Sequence, residues 1–115
     1  MDTMDMIDTI DTVGRAYDDA LRMSREAFAG RHYELAFHAL GAALHAAYDL
    51  NDEARLGTVG TLAQEQCMWL KEHVPATASP SGRSLWDVLC EEVETRQRLL
   101  VQRRYLREPH LLGQP

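Results

Sequence analysis

Apolar positions return along the start of the chain at helical steps: Met6, Ile10, Val13, Tyr17, Ala20 or Leu21, and Phe28, with Ser24 interrupting the stripe. This one-sided periodicity predicts an amphipathic helix over residues 4–29. Gly30 follows, where a glycine can end a helix by taking the left-handed conformation. A second helix is predicted over 32–50. Its seam is Tyr33, Phe37, Leu40, Leu44 and Ala47, and Leu35, Ala36, Ala39, Ala43, Ala46 and Leu50 widen it on the adjacent flank. So broad an apolar perimeter implies a central helix packed against two neighbours.

The run YDLNDEA breaks the pattern and places Asn51 or Asp52 to accept hydrogen bonds from the free N–H groups opening a third helix. Leu56, Val59, Ala63, Leu70 and Val74 form the seam of that helix, predicted over 52–74, and Pro75 ends it. Gly57 and Gly60 weaken it by up to ~1 kcal/mol each relative to alanine. Such a cost implies a packing reason, and an antiparallel hairpin would set these glycines opposite residues 42–46. PATASPSGR then reads as a loop. Ser84 and Asp87 in SLWD resemble a capping box opening a fourth helix over 84–107, with Leu85, Trp86, Leu89, Val93 and Leu100 facing inward. The fold class is therefore all-α, an antiparallel up-and-down four-helix bundle. Its 115 residues suffice for one domain, expected over 1–108, with 109–115 as a C-terminal tail.

Composition agrees with a folded domain: 45% of residues are apolar and 26% charged. The net charge of −6 disfavours general binding to nucleic acid or acidic membranes. It is unevenly spread. Residues 1–50 hold nine acids and four bases, giving −5, whereas residues 51–115 hold nine acids and eight bases, giving −1. No apolar run approaches the ~18 residues of a membrane span, and the acidic opening lacks the features of a secretory signal. A reduced, cytoplasmic protein is expected. Cys67 and Cys90 stand in no metal-ligand spacing. A helical hairpin would bring them to similar heights, as it would Trp69 and Trp86, and buried free thiols and buried indoles are the expected states.

Two clusters could carry chemistry. Glu34, His38, Gly41, His45 and Asp49 share one face of the second helix, making Glu34, His38, His45 and Asp49 candidate ligand-binding or interaction residues. His38 and His45 lie two turns apart, about 10 Å along the axis. A single metal would need ligands from another helix, and the third and fourth helices offer no ExxH or HxxxH pattern, so neither a metal nor another cofactor is assigned. The second cluster, Arg96, Arg98, Arg103, Arg104 and Arg107 around Tyr105, offers Arg96, Arg103, Arg104, Arg107 and the nearby His110 as possible phosphate or nucleic-acid contacts. The competing structural role is stronger: arginines complement the negative end of a helix, and the acidic start of the first helix, Asp2, Asp5, Asp8 and Asp11, would face them in the bundle. No nucleophile elbow, phosphate loop or dinucleotide fingerprint occurs, and no enzyme class is expected.

GRHYELAFHALGAALHAAYDL resembles the second helix of a tetratricopeptide hairpin. Tyr33, Ala36, Phe37, Leu40, Ala43 and Leu44 fall on its large-small pattern, and Ala20 and Met23 fall on the preceding helix, so the resemblance covers residues 20–50. It implies protein binding on a helical surface. The same segment is similar to the HEPN family of four- and five-helix bundles, which are often dimers and include RNases and toxin–antitoxin components. Arg104 and His110 meet the arginine–histidine spacing of its active members, as do Arg25 with His32 and Arg31 with His38. The leading expectation is a non-enzymatic interaction protein or accessory subunit, a homodimer or bound to a protein partner through an exposed helix face. The alternatives are a HEPN-like nucleic-acid-associated factor and a small-ligand or metal-binding bundle.

Overall fold

The computed structural model describes residues 3–74 and 80–107, with side chains for 9–74 and 85–106. Four α-helices make up this portion, α1 (Thr3–Ala29), α2 (Tyr33–Asp49), α3 (Glu53–His73) and α4 (Pro80–Arg107), and no strand occurs among the described residues. They form the expected all-α bundle, 53 × 38 × 16 Å across its Cα atoms. Backbone contact runs from α1 to α2, from α2 to both α3 and α4, and between α3 and α4, so α2 has three neighbours rather than two. The α3–α4 register is antiparallel. Lys71 meets Asp87 at one end and Glu53 meets Arg104 at the other.

The two short turns share one device. Arg31, with φ 66°, and Asn51, with φ 53°, take the left-handed conformation after α1 and α2. The amides of Arg31 and His32 return to the carbonyls of Phe28 and Ala27, and those of Asn51 and Asp52 return to Tyr48 and Ala47. Each is a Schellman closure that satisfies carbonyls a helix end would leave bare. Gly30, expected to hold the left-handed position, precedes it; Arg31 occupies it, at a steric cost of roughly 1–2 kcal/mol. Asp52 then opens α3, its carboxylate accepting the Arg55 amide at 3.0 Å.

The seams predicted for α2 and α3 are largely buried, and Trp86, Leu89, Val93 and Leu100 of α4 complete the core. Ile10, Leu35 and Leu85 are exposed. Ile10 is exposed because α1 has 27 residues and α2 only 17; at 1.5 Å per residue α1 outruns its partner by about 15 Å. Leu85 lies on the flank of α4 away from Trp86, which takes the inward position. α4 starts at Pro80, four residues before the predicted Ser84. A proline fits the first helical turn, where its missing N–H has no partner to lose. Residues 80–83 of the expected loop are thus helical, and 75–79 lie outside the described residues, as does the tail. Gly57 and Gly60 face α4 rather than α2: a Cβ on Gly60 would stand 3.0 Å from Val93 Cγ1, and one on Gly57 3.8 Å from Gln97 Nε2.

One polar chain crosses the core. The Ser24 hydroxyl donates to the Ala36 carbonyl at 2.9 Å and accepts from Gln66 Nε2 at 3.1 Å, and Trp86 Nε1 donates to Gln66 Oε1 at 3.0 Å. Ser24, at 0% exposure, therefore does not break the α1 stripe but belongs to its buried face. The chain ties α1, α2, α3 and α4 together through groups that would be expensive to bury alone.

Candidate functional site

The polar stripe of α2 lies where its spacing put it. Glu34, His38, His45 and Asp49 are all exposed, and the intervening Gly41 has open space beside it. The His38 ring meets the edge of Phe37 at 5.4 Å. Among the described residues no group of three or more His, Cys, Asp or Glu side chains converges as a metal site would require. The stripe is a surface rather than a pocket.

The arginine end of α4 is drawn inward by α2 and the α2–α3 turn. The guanidiniums of Arg96 and Arg103 each stand 4.5 Å from the centre of the Tyr48 ring. They are seven residues apart, about 10 Å along the helix, so the ring sits between them and offers a π-face to each. Arg96 Nε also donates to Glu92 at 2.7 Å, and Arg103 donates to Asn51 Oδ1 at 3.2 Å. Arg104 pairs with Glu53 at 3.2 Å. The sequence expects the acidic start of α1 as partner for this end; the ion pair of Arg104 goes to α3, and the side chains of Asp2, Asp5 and Asp8 lie outside the described residues. Between α1 and the start of α3, the Arg55 guanidinium covers the Tyr17 ring at 5.2 Å, and Tyr17 Oη donates to the Arg55 carbonyl at 3.2 Å. The side chain of Arg107 and the whole of His110 lie outside the described residues.

Cys67 and Cys90 are free thiols, the first buried and the second half-buried. Cys67 donates to Asp87 Oδ1 at 3.4 Å, and Lys71 Nζ approaches the same oxygen at 3.4 Å. Burial pushes the Cys67 thiol up, and the Asp87 carboxylate that accepts its S–H pushes it further. Burial also raises Cys90, with a smaller repulsion from Cys67. Both therefore stay protonated and poorly nucleophilic at neutral pH. Asp87, assigned from sequence to a helix cap, instead serves this α3–α4 contact.

Two features had no signal in the spacing of the chain. At the end of the bundle where α1 turns into α2, Phe28 packs edge-on to Tyr33 at 5.1 Å and to Trp69 at 5.5 Å, and the His73 ring stacks on Trp69 at 4.4 Å. Trp69, expected to be buried, remains 39% exposed on this corner. Beside it lies a shallow cleft of about 280 Å³ lined by Arg25, Phe28, Leu62, Gln66 and Trp69. The second feature is the outer surface of α4, where Leu85, Val88, Leu99 and Leu106 are exposed in a row distinct from its buried stripe. No protein-family model, curated protein or solved structure matches the chain.

Proposed function

We propose that the chain is a non-enzymatic helical interaction protein or accessory subunit that works through an exposed helix face. The observation that carries this reading is the outward row of α4: Val88 is 57% and Leu106 77% exposed, although a different face of the same helix already fills the core. Single exposed apolar side chains are ordinary on a protein surface, but four of them along one side of one helix support a contact role for that side. The polar clusters support the same reading. Arg96, Arg103 and Arg104 spend charge on Tyr48, Glu92 and Glu53 within the protomer, which favours a structural over a phosphate-binding role. No helix of the described residues is long and apolar enough to cross a membrane.

Size-exclusion chromatography with light scattering, combined with a pulldown from cell extract, tests this function. A stable dimer or a stoichiometric partner is expected. A strict monomer that recovers no partner would sink the reading.

A further inference from the structure

The outward face of α4 has the spacing of a coiled-coil seam. Positions 85, 88, 92, 95, 99, 102 and 106 alternate steps of three and four, and hold Leu, Val, Glu, Thr, Leu, Gln and Leu. This is the 3.5-residue repeat that keeps one stripe facing a second helix. Within the protomer the stripe is left largely open: Leu85, Val88, Leu99 and Leu106 are all exposed. A stripe so exposed can receive a second helix, and the charge pattern of α4 bears on which helix would fit. Between residues 85 and 94 the helix carries Asp87, Glu91, Glu92 and Glu94 and no base. Between 95 and 107 it carries Arg96, Arg98, Arg103, Arg104 and Arg107 and no acid. A helix with acid in one half and base in the other is complementary to its own reversed copy, and Glu91 and Arg98 are two of these charges that no ion pair among the described residues already uses. A parallel pairing would set like charges together.

We infer that α4 pairs antiparallel with α4 of a second copy of this chain, forming a two-fold symmetric dimer with Val88 against the partner's Leu99 and Glu91 against the partner's Arg98. The inference rests on the interaction reading above and names its partner. The register follows from the repeat. In an antiparallel pair the first apolar position of one heptad meets the second of the other. Val88 then meets Leu99, Leu85 meets Gln102 and Glu92 meets Thr95, each twice by symmetry.

In that register Glu91 and Arg98, which share the flank of the seam, lie across from each other. Neither takes part in an ion pair among the described residues; Arg98 donates a 3.3 Å hydrogen bond to Thr95. Glu92, already neutralised by Arg96 at 2.7 Å, enters a central layer as a polar group with its charge satisfied. Polar residues at such positions cost stability but select one register.

The test is sedimentation of the full chain over a range of concentrations, with Glu91→Arg, Arg98→Glu, the double exchange, and Val88→Glu. These side chains are exposed, so melting followed by circular dichroism should show each variant folded. Each single exchange puts two like-charged contacts in the interface and should weaken the dimer about tenfold or more. The double exchange should restore most of the affinity, and Val88→Glu should leave a monomer. A dimer that ignores all four variants is built elsewhere and overturns the α4 pairing while leaving the interaction function intact. A wild-type monomer also overturns the pairing; a protein captured by that monomer but lost with Val88→Glu would make another protein's helix the occupant of the seam. A wild-type monomer that captures nothing would end both.

Discussion

At the scale of single residues, the Ser24–Gln66–Trp86 chain decides how tolerant the core is. Replacing Gln66 with leucine keeps volume near the original but strips the Trp86 N–H and the Ser24 hydroxyl of a partner. A buried donor left unpaired costs about 1–3 kcal/mol, so Gln66→Leu should lower stability by that amount despite its gain in hydrophobicity. Ser24→Ala should cost about 1–2 kcal/mol, because it orphans Gln66 Nε2 and withdraws the donor to Ala36. Urea denaturation of both variants measures this, and a neutral or stabilising Gln66→Leu would show that the chain is not a determinant of stability. Serine in an apolar stripe looks like an interruption because its partner lies 42 residues away on another helix. The Asp52 cap was readable, since its partner lies only three residues on. Asn51, the other residue considered for the cap, supplies the left-handed turn just before it. Local chemistry was legible in sequence, whereas contacts that depend on how helices rotate about one another were not.

At the scale of helices, the glycines of α3 show the same division. Their cost to the helix was evident from sequence, and the close approach it implied is real, but the approaching element is α4 rather than α2. The two positions should therefore respond differently to alanine. At Gly57 a methyl would make an ordinary contact with the flexible end of Gln97, so Gly57→Ala should gain roughly 0.5–1 kcal/mol from helix propensity alone. At Gly60 the methyl would meet buried, β-branched Val93 at 3.0 Å. Overpacking costs typically 1–3 kcal/mol, which cancels or exceeds the propensity gain. Thermal melts of the two variants should shift in opposite directions, or Gly60→Ala should not move; an equal stabilisation would mean that α3 and α4 are less tightly apposed than described. α4 itself was half legible. Its inward stripe is Trp86, Leu89, Val93 and Leu100 as expected, but Leu85, apolar at helical spacing too and expected on the same face, is exposed. A helix with apolar residues on two sides offers no periodicity that says which side is the core. Only the position of α2 and α3 against it separates the interior from the surface.

At the scale of the whole molecule, the buried Cys67 and half-buried Cys90 thiols give the bundle an alkaline limit. Cys67 and Cys90 are raised above the ordinary thiol range, chiefly by burial, and Tyr17 is raised above the ordinary phenol range by burial as well. The unfolded chain ionises these groups at their ordinary values, while the folded chain holds their protons to higher pH. Above pH ~8.5 the unfolded state thus binds fewer protons than the native state, and stability falls as pH rises. Below that range the contribution is fully present. The melting temperature, measured with a reductant to keep both thiols free, should show no thiol-driven change from pH 7 to 8 and should decline progressively above it. In Cys67→Ala/Cys90→Ala the core will be somewhat looser at every pH, so the comparison rests on slope rather than on the absolute melting temperature. The variant should lose less stability between pH 8 and 10 than the parent and then decline through Tyr17, whose phenol also closes the α1–α3 contact at Arg55. Identical slopes in the two proteins would place the alkaline sensitivity elsewhere. The Cys67 thiol joins α3 to α4 through Asp87 and the tyrosine joins α1 to α3, so their deprotonation would strain two different helix interfaces of one bundle, and a single cooperative transition at every pH is the outcome consistent with the polar chain that ties all four helices together.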